Sequence, residues 1–429
     1  VLVIRAERLS SESRYAQIMQ VMQEAEQKRP KIRRIGDQIG AWFAPFALLV
    51  AFIAWYLSGD SVRFLAVLVV ATPCPLLIAI PITIMSAISM AARRGIVISD
   101  PTVLERLPTC KTAIFDKTGT LTYGRPELVE VLPASGHGAN EVLRLAASLE
   151  RYSKHPLATA VLAAAETRKL ALGDVARVSE KPGQGLVGVV DGQEIAVTHR
   201  KKLIASDPAM AEILPPDASG LECVIMIDGA YGATLRFRDS PRADGRNFVG
   251  HLGPVHNFNK VMLLSGDRAS EVSHLSKLLG IDESLASQSP EQKVEIVRRE
   301  TALAPTLFMG DGINDAPALA VATVGIAFGK HSSVTAEAAG AVIPESSLQA
   351  VDELFHISMT MRRILLQSVI GGMVLSIFAM GFAAFGYISP VAGAVLQEGI
   401  DVIAIVNALR LALAGNIRAD LVGDEKQIS

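Results

Sequence analysis

Three aspartates that could take part in phosphoryl chemistry each follow a short apolar run. Asp116 follows TAIF, Asp267 comes shortly after VMLL, and Asp311 comes shortly after TLFM. Each run has the length and character of a buried strand, and parallel strands of a doubly wound sheet bring their carboxyl ends to one edge. The sequence therefore predicts an α/β sheet with one acidic site at that edge.

Two longer strings surround these aspartates. DKTGTLT begins at Asp116, and GDGINDAPAL begins at Gly310. With these strings the chain resembles the P-type ATPases, which are membrane pumps whose catalytic domain has the haloacid-dehalogenase fold. The resemblance extends from the first apolar stretch to Leu413. It implies ATP as the substrate and Mg²⁺ as the cofactor.

The resemblance also implies a role for each polar residue. Asp116 is expected to accept the γ-phosphoryl group of ATP as a nucleophile. Oxygen ligands for Mg²⁺ are expected from Asp116, the Thr118 carbonyl and Asp311, and Lys293 is expected to place a positive charge on the phosphoryl group. The predicted catalytic residues are Asp116, Lys117, Thr118, Lys293, Asp311, Asn314 and Asp315, and the predicted phosphate contacts are Thr120, Ser265, Gly266 and Asp267.

Thr118 favours a pump over a simple phosphatase of the same fold. Such phosphatases carry a second aspartate two residues after the nucleophile, whereas a threonine cannot act as a general acid at neutral pH. A phosphoenzyme that persists can be coupled to a conformational change. The alternatives are a membrane-anchored phosphatase, a P-type pump for another cation, and a non-catalytic metal-binding subunit, which the intact acidic site makes improbable.

A second lobe is expected between the two halves of the sheet domain. Glu150, His155 in SKHPLA, and Gly183 and Gly185 in PGQGLVG resemble the nucleotide-binding domain of the heavy-metal-transporting branch. In that branch the glutamate and histidine contact adenine, and the glycines let the backbone lie against the nucleotide. A His-Pro pair by itself is more often a helix start.

Two further pairs of residues, one in this lobe and one at its end, bear on the resemblance. Thr198 and His199 stand where the branch usually has Gly-Asn. Asp239 and Arg242 resemble the hinge that returns to the phosphorylation domain, although Asp239 could also be a simple turn residue.

Four apolar stretches predict membrane spans, at 39–57, 64–90, 364–385 and 391–413. The chain of 429 residues is 50% hydrophobic and 20% charged, with a mean hydropathy of +0.35, which suits spans joined to a large polar part. Each stretch reaches the roughly 20 residues that cross a hydrocarbon core. Short links join them in pairs, which favours two membrane hairpins over buried core helices.

The basic residues indicate the orientation of the chain in the membrane, and the net charge and the cysteines exclude other classes of protein. Basic residues flank both hairpins on one side, so the long insert between them is expected in the cytoplasm, with the protein integral to the plasma (inner) membrane. A net charge of −2 gives no sign of nucleic-acid binding. Three cysteines without a CxxC pair exclude a disulfide scaffold.

The predicted fold class is membrane α-helical hairpins plus a cytoplasmic α/β part. The latter is a haloacid-dehalogenase-like doubly wound phosphorylation domain with an inserted α+β nucleotide-binding domain. In chain order we expect a stalk at 1–37, a first hairpin at 38–92, the phosphorylation domain at 93–123 and 238–360, the nucleotide-binding domain at 124–237, a second hairpin at 361–415 and a polar tail at 416–429.

A transported ion is expected between the hairpins. Cys74 lies between two prolines, which interrupt a membrane helix and free backbone carbonyls, and Glu398 and Asp401 are acids within the fourth stretch. One thiolate with two carboxylates suits Ni²⁺, Fe²⁺, Co²⁺ or Zn²⁺ rather than copper(I). The Thr-Pro-Cys form also resembles a minor subgroup of the branch. The alternatives are a kinked helix with a packing cysteine, and a proton path through the acids.

The sequence contains no Thr-Gly-Glu string, which marks the actuator domain of this family. We therefore expect the given chain to lack an upstream actuator domain that the full cycle requires, and to form a phosphoenzyme that it clears slowly. The expected partners are the lipid bilayer, ATP and a transition-metal ion, with no nucleic acid.

Overall fold

The structure is a computed structural model, and it describes residues 31–72, 74–181, 185–216, 221–311, 313–329 and 338–413. The chain divides into two compact units. The first consists of Val1–Asp116, Asp244–Met262 and Ser289–Ser429, and the second of Lys117–Ala243 and Leu263–Gln288. These units are defined by packing rather than by catalytic role, so the predicted domain ranges stay predictions.

The described helices and strands are numbered in chain order. The helices are α1 (Lys31–Ser58), α2 (Ser61–Val70), α3 (Cys74–Arg93), α4 (Thr102–Arg106), α5 (Ala139–Glu150), α6 (Pro156–Thr167), α7 (Arg200–Ser206), α8 (Met210–Ile213), α9 (Gly245–His256), α10 (Ala269–Leu279), α11 (Pro290–Leu303), α12 (Ala316–Val321), α13 (Leu348–Ala384) and α14 (Pro390–Leu413). The strands are β1 (Val97–Ile98), β2 (Thr112–Asp116), β3 (Thr122–Pro133), β4 (Val175–Lys181), β5 (Gly185–Val190), β6 (Gln193–Thr198), β7 (Leu221–Ile227), β8 (Ala230–Pro241), β9 (Lys260–Leu264), β10 (Glu283–Leu285), β11 (Thr306–Gly310), β12 (Val324–Phe328) and β13 (Ala341–Ile343).

Three helices of the described chain are long and apolar enough to cross a membrane. They are the Ala41–Ser58 part of α1, α13 and α14, and they match the first, third and fourth predicted stretches. Alanines dominate the contact between α1, α2 and α13, at positions such as Ala51, Ala66 and Ala383. Small residues at these positions let the helix backbones approach closely.

The second predicted stretch, 64–90, is two helices rather than one continuous span. α2 ends at Val70 and α3 begins at Cys74, so the helix is interrupted at the Thr-Pro-Cys string. A proline removes a backbone donor and obstructs the preceding turn, which is why the sequence predicted an unwound turn here. Pro73 itself lies outside the described residues.

A mainly parallel sheet carries the predicted acidic site, with the strand order β1-β13-β12-β11-β2-β9-β10. β11 pairs in parallel with both β2 and β12, while β1 is an antiparallel edge strand. All residues of β2, β11 and β12 are buried, as expected for a sheet covered on both faces. The doubly wound sheet is confirmed, and β2 and β11 deliver Asp116 and Asp311 at their carboxyl ends.

The second unit contains an antiparallel sheet with the order β3-β8-β7-β6-β5-β4. α5 and α6 cover one face of it, and the apolar side chains between them include Leu149, Val161 and Phe237. This is the α+β lobe that the sequence predicted. The long strands β3 and β8 pair from Thr122↔Pro241 to Pro133↔Ala233, and they join the lobe to the loop that follows Asp116.

Candidate active site and membrane site

Asp116 lies in a buried group of carboxylates around one lysine, all within the first unit. Lys293 donates from Nζ to Asp116 Oδ1 at 2.5 Å and to Asp315 Oδ1 at 2.8 Å. Lys293 is in the first turn of α11, which begins with a capping box between Ser289 and Gln292. The cap fixes the start of the helix and therefore the position of the ammonium group.

The electrostatics of this group call for a further cation. Burial and the charges of Asp315 and Asp311 raise the pKa of Asp116 to about 7, although Lys293 acts to lower it. Carboxylate oxygens of Asp116, Asp311 and Asp315 lie within 4.8 Å of one another. Three carboxylates against one ammonium fit a Mg²⁺ ion, which prefers oxygen ligands. The Thr118 carbonyl as a third ligand stays a prediction.

Gly310 and Asn314 belong to the GDGINDAPAL string. A Cβ atom at Gly310 would lie 2.7 Å from Asp315 Oδ2, so this glycine makes room for the carboxylate. Asn314 is exposed in a short 3₁₀ turn, and Asp311 is half-buried. Lys293, Asp311 and Asp315 are therefore the predicted residues that the structure brings close to Asp116.

The loop after Asp116 belongs to the second unit, and Arg242, the residue directly after β8, binds its backbone. Gly119 has φ +70°, which a residue with a side chain rarely adopts. Arg242 donates from Nε to the Thr120 carbonyl at 2.8 Å and from Nη2 to the Gly119 carbonyl at 3.2 Å. Arg242 thus fixes the backbone of the DKTGTLT string.

Asp239 holds the other end of this loop. Its carboxylate accepts from Thr122 Oγ1 at 2.5 Å and from the Arg125 backbone N–H at 3.0 Å. Asp239 is a residue of β8 and not of a turn, so the alternative of a simple turn residue is wrong. Burial raises the pKa of Asp239.

Several predicted site residues line one cavity of about 430 Å³ in the second unit. They are Lys117 and Thr118, predicted as catalytic, and the predicted phosphate contacts Gly266 and Asp267, and Asp239 lies in the same wall. Lys117 is buried and forms an ion pair with Asp267.

Two hydroxyl residues of the phosphate-contacting set are buried in this unit. Ser265 Oγ accepts from the Asp267 backbone N–H at 3.1 Å, which shapes the turn after β9. Thr120 is fully buried, and its Oγ1 has no hydrogen-bond partner among the described residues.

A second cavity in this unit, of about 580 Å³, contains the predicted nucleotide contacts Glu150, His155 and Gly185 in its walls. Glu150 is 5% exposed, and its Oε2 has no hydrogen-bond partner in the described part of the chain. Burial, opposed by a hydrogen bond from Ser153 and reinforced by the charge of Glu180, raises the pKa of Glu150 to about 7. A substantial fraction of Glu150 is therefore protonated near neutral pH.

His155 has a structural part in addition to its predicted contact with adenine. It is the N-cap of α6, and its Nδ1 accepts from the Leu157 backbone N–H at 3.2 Å. The neutral ring therefore carries its proton on Nε2 and can donate it. Ser153 Oγ donates to Glu180 Oε1 at 2.9 Å and anchors the preceding turn. The sequence did not single out Ser153 or Glu180 as site residues.

Two glycines of this lobe, Gly183 and Gly185, were predicted to contact the nucleotide. Gly185 has φ +83°, and a Cβ atom there would lie 2.4 Å from the Val197 carbonyl oxygen, so close strand packing requires it. Gly183 lies outside the described residues. Thr198 and His199, which replace the usual Gly-Asn, also line the cavity.

The membrane helices bring together a polar group that the sequence predicted only in part. Gln397 and Asp401 are buried on α14, and Gln397 Nε2 donates to Asp401 Oδ1 at 3.1 Å. Ser376 on α13 donates to Gln397 Oε1 at 3.2 Å. Thr72, at the helix interruption, has a buried Oγ1 without a partner among the described residues.

Glu398 is the predicted ion ligand that the structure does not bring to this group. It is exposed on α14, whereas Asp401 is 8% exposed. Residues four apart, such as Gln397 and Asp401, are neighbours on one helix face, and here that face is the buried one. In the described helix Asp401 pairs with Gln397 and not with Glu398, and Glu398 as an ion ligand stays a prediction. The Cys74 side chain lies outside the described part of the chain.

Comparisons with known proteins agree with this geometry. Residues 110–323 match the family of haloacid dehalogenase-like hydrolases. The chain is 31% identical to a silver exporting P-type ATPase of Salmonella typhimurium and 33% identical to copper-transporting ATPase 2 of Rhizobium meliloti, each over 96% of this chain and 52% of that protein. A crystal structure of a zinc-transporting PIB-type ATPase matches with a TM-score of 0.74 and 27% identity, over 95% of this chain and 68% of that one.

The fold and site define a protein with a haloacid dehalogenase-like domain and with helices long and apolar enough to cross a membrane. More specifically, the chain is similar over nearly its whole length to P-type ATPases. It spans about half the length of the curated relatives that it matches.

Proposed function

We propose that this chain is the catalytic part, with four of the membrane helices, of an ATP-driven pump that exports a transition-metal cation through an aspartyl phosphate on Asp116. The observation that carries the proposal is the buried group in which Lys293 joins Asp116 to Asp315. In family terms, residues 93–123 and 238–360 act as the phosphorylation domain and 124–237 as the nucleotide-binding domain. An actuator domain supplied by the full-length protein completes the cycle at the plasma (inner) membrane.

The chemistry assigned to this group is phosphoryl transfer. An Asp116 carboxylate oxygen attacks the γ-phosphorus of ATP, the bond from phosphorus to the bridging oxygen breaks, and ADP leaves with the electron pair. Lys293 neutralises part of the charge on the transferred group. Asp116 and Asp311 would hold Mg²⁺, which would supply the remaining positive charge that favours the ionised form of Asp116.

Nucleotide binding is assigned to the cavity around Glu150 and His155. Glu150 offers a protonated carboxyl group and His155 an Nε2–H donor, and both suit the ring nitrogens of adenine. The cavity walls contain Leu186 and Val197, which provide apolar surface for a base.

For the transported ion we propose a borderline divalent cation, from Ni²⁺, Fe²⁺, Co²⁺ and Zn²⁺. Cys74 is the single cysteine of the two hairpins, and Asp401 with the Gln397 side-chain carbonyl adds hard oxygen ligands. One sulfur with oxygen ligands suits such ions better than Cu⁺ or Ag⁺, which prefer several sulfurs. Two of the relatives are named for silver and copper and the solved structure for zinc. The identity of the ion is therefore proposed from the residues of this chain and not from its relatives.

Radioactive labelling from ATP that carries ³²P in its γ-phosphate tests the proposed nucleophile. We expect the wild-type chain to form an acid-stable, hydroxylamine-sensitive label, and Asp116→Asn to form none, because an amide cannot accept the phosphoryl group. Asp282→Asn is the matched control, since Asp282 is exposed and outside both cavities, and it should label normally. Undiminished acid-stable labelling of Asp116→Asn would contradict the assignment. Rapid turnover of a phosphomonoester without any stable label would favour the phosphatase instead.

A further inference from the structure

A second group of metal-ligating side chains lies where α9 contacts the start of α13, within the first unit. His251 Nε2 lies 2.8 Å and His256 Nε2 lies 2.7 Å from the same oxygen, Asp352 Oδ1. His356, one turn after Asp352, has its Nε2 at 3.6 Å from that oxygen. Neither the phosphoryl chemistry nor the membrane site uses these residues.

The buried carboxylate of this group favours a positive charge beside it. The Asp352 side chain is fully buried and that of His256 is 2% exposed, while His251 and His356 are 15% and 18% exposed. A buried carboxylate is tolerated when it is paired or coordinates a metal. The two outer histidines leave a route for an ion from solvent.

The orientation of His251 also favours a cation at this place. Its Nδ1 lies 3.1 Å from the Asn247 carbonyl oxygen, and a carbonyl can only accept, so Nδ1 carries a proton. In the neutral ring Nε2 then presents its lone pair to Asp352 Oδ1, and two acceptors at 2.8 Å repel each other. Either a proton or a metal ion relieves this repulsion. A backbone carbonyl on the second ring nitrogen is the arrangement that metal-bound histidines usually have.

The spacing of the donor atoms suits a small tetrahedral site. Metal–ligand distances of about 2.0–2.1 Å place tetrahedral ligand atoms about 3.3 Å apart. One donor atom each of His251, His256 and Asp352 lies within 4.8 Å of the other two, and His356 Nε2 lies 3.6 Å from the carboxylate oxygen. Two imidazoles and one carboxylate, with a fourth position left for a further ligand, form a donor set that Zn²⁺ and related ions accept.

We propose that His251, His256 and Asp352, with His356 beside them, bind a borderline divalent metal ion of the Zn²⁺ class, at a cytoplasmic site separate from the transported ion. The bound ion fastens α9, the helix after the second lobe, to α13, which continues into the third span. The pump thereby carries a metal site outside its transport path. This proposal goes beyond the proposed function and does not depend on phosphorylation of Asp116.

Co²⁺ is the probe for this site, because tetrahedral Co²⁺ has strong visible absorption bands. The titration uses the whole chain with Cys74→Ser, which removes the membrane thiolate, and excess Mg²⁺ to occupy the carboxylates around Asp116. We expect one Co²⁺ per chain with tetrahedral bands. Adding His251→Gln and His356→Gln should weaken this binding by at least about 100-fold, since even outer-shell partners of metal ligands contribute roughly 10–100-fold in affinity.

His274→Gln in the same background is the matched control, because His274 is exposed on α10, and it should bind Co²⁺ like the parent. If the double variant does not fold, His251→Gln alone should still weaken Co²⁺ binding, because the site then loses one of its three protein ligands. Zn²⁺ should also raise the unfolding temperature of the parent and not that of the variants. Equal Co²⁺ spectra in parent and variants, or no tetrahedral bands in the folded parent, would overturn the proposal in favour of a proton-charged hydrogen-bond network.

Discussion

Asp116 and Glu150 are buried carboxyl groups in the cytoplasmic part that the protein treats differently. Burial raises the pKa of both to about 7. Asp116 has the Lys293 ammonium at 2.5 Å and a place for Mg²⁺, so its charged form is supported when the site is loaded. For Glu150, burial and the like charge of Glu180 raise the pKa, and only a hydrogen bond from Ser153 acts to lower it. The first residue is suited to act as a nucleophile and the second as a neutral hydrogen-bonding group.

The raised pKa of Glu150 predicts a pH-dependent stability. The folded-state pKa of about 7 lies above the ordinary value of 4.5, so the folded protein binds more protons between these two values. The contribution of this group to stability is therefore present below about pH 4.5 and is lost as the pH rises to about 7. Glu150→Gln removes the cost of ionisation, so we expect it to be more stable than the wild type at pH 8 by roughly 1–3 kcal/mol, with a smaller difference at pH 5.

Thermal unfolding of the two proteins at pH 5 and pH 8 measures this difference. Glu141→Gln is the control on the same helix, because Glu141 is exposed and its substitution should have the same small effect at both pH values. If the difference between Glu150→Gln and the wild type does not change with pH, Glu150 is not held neutral.

At the scale of single elements, helix ends and strand ends position the site. β2 ends at the nucleophile, a capping box starts the helix that carries Lys293, and His155 caps α6 beside the nucleotide cavity. The first backbone N–H groups of a helix have no partner within the helix, which accounts for the polar capping residues at the starts of α6 and α11. His155 thus has two tasks, one as a cap and one as the predicted contact with adenine.

A pair of substitutions at His155 separates these two tasks. Asparagine can still accept the Leu157 N–H as an N-cap, whereas alanine cannot, at a cost of about 1 kcal/mol. We expect both variants to bind ATP roughly tenfold more weakly, since one hydrogen bond contributes about 1 kcal/mol, and only His155→Ala to lower the unfolding temperature. Labelling of Asp116 at saturating ATP should persist in both. Wild-type ATP affinity of His155→Asn would mean that the histidine is only a helix cap.

At the scale of the whole molecule, the proposed function requires the membrane site to control the cytoplasmic chemistry. α13 runs as one helix of 37 residues from the cytoplasmic segment into the membrane, where its Ser376 contacts the Gln397–Asp401 pair. A continuous helix of this kind provides a physical connection between the ion site and the cytoplasmic part.

This connection predicts different outcomes for the two acids of α14. In the full-length protein, Asp401→Asn should abolish metal-stimulated ATP hydrolysis, because the amide provides no charge for a divalent ion. Phosphorylation of Asp116 from inorganic phosphate should survive, since that reaction runs through the ion-free state. Glu398→Gln, an equivalent change on the exposed face of the same helix, should retain stimulation by Zn²⁺, Ni²⁺, Co²⁺ or Fe²⁺.

The results at these two positions decide between the possible sites. Loss of stimulation in both variants would restore Glu398 as a ligand, and retention in both would favour a proton path or a buried polar network. Stimulation of the wild type by Cu⁺ or Ag⁺ alone would contradict the divalent ion.

The sequence by itself determined the class of fold and predicted the chemistry of the site, because both depend on local properties. Apolar length indicated the membrane stretches, short apolar runs indicated β2 and β11, and DKTGTLT with GDGINDAPAL named the acidic residues. The proline beside Cys74 likewise predicted the helix interruption, since a missing backbone donor acts on its own turn.

The tertiary structure alone decided which side chains meet. Lys293 joins Asp116 and Asp315 across 177 and 22 residues, and Asp239 reaches Thr122 across 117 residues. Which face of α14 is buried depends on the helix that packs against it. Only the structure could therefore show that Gln397 is the residue paired with Asp401 and that Ser376 of α13 contacts Gln397. The histidines around Asp352 had no motif in the sequence, because their proximity arises from two helices packing together and not from any spacing along the chain.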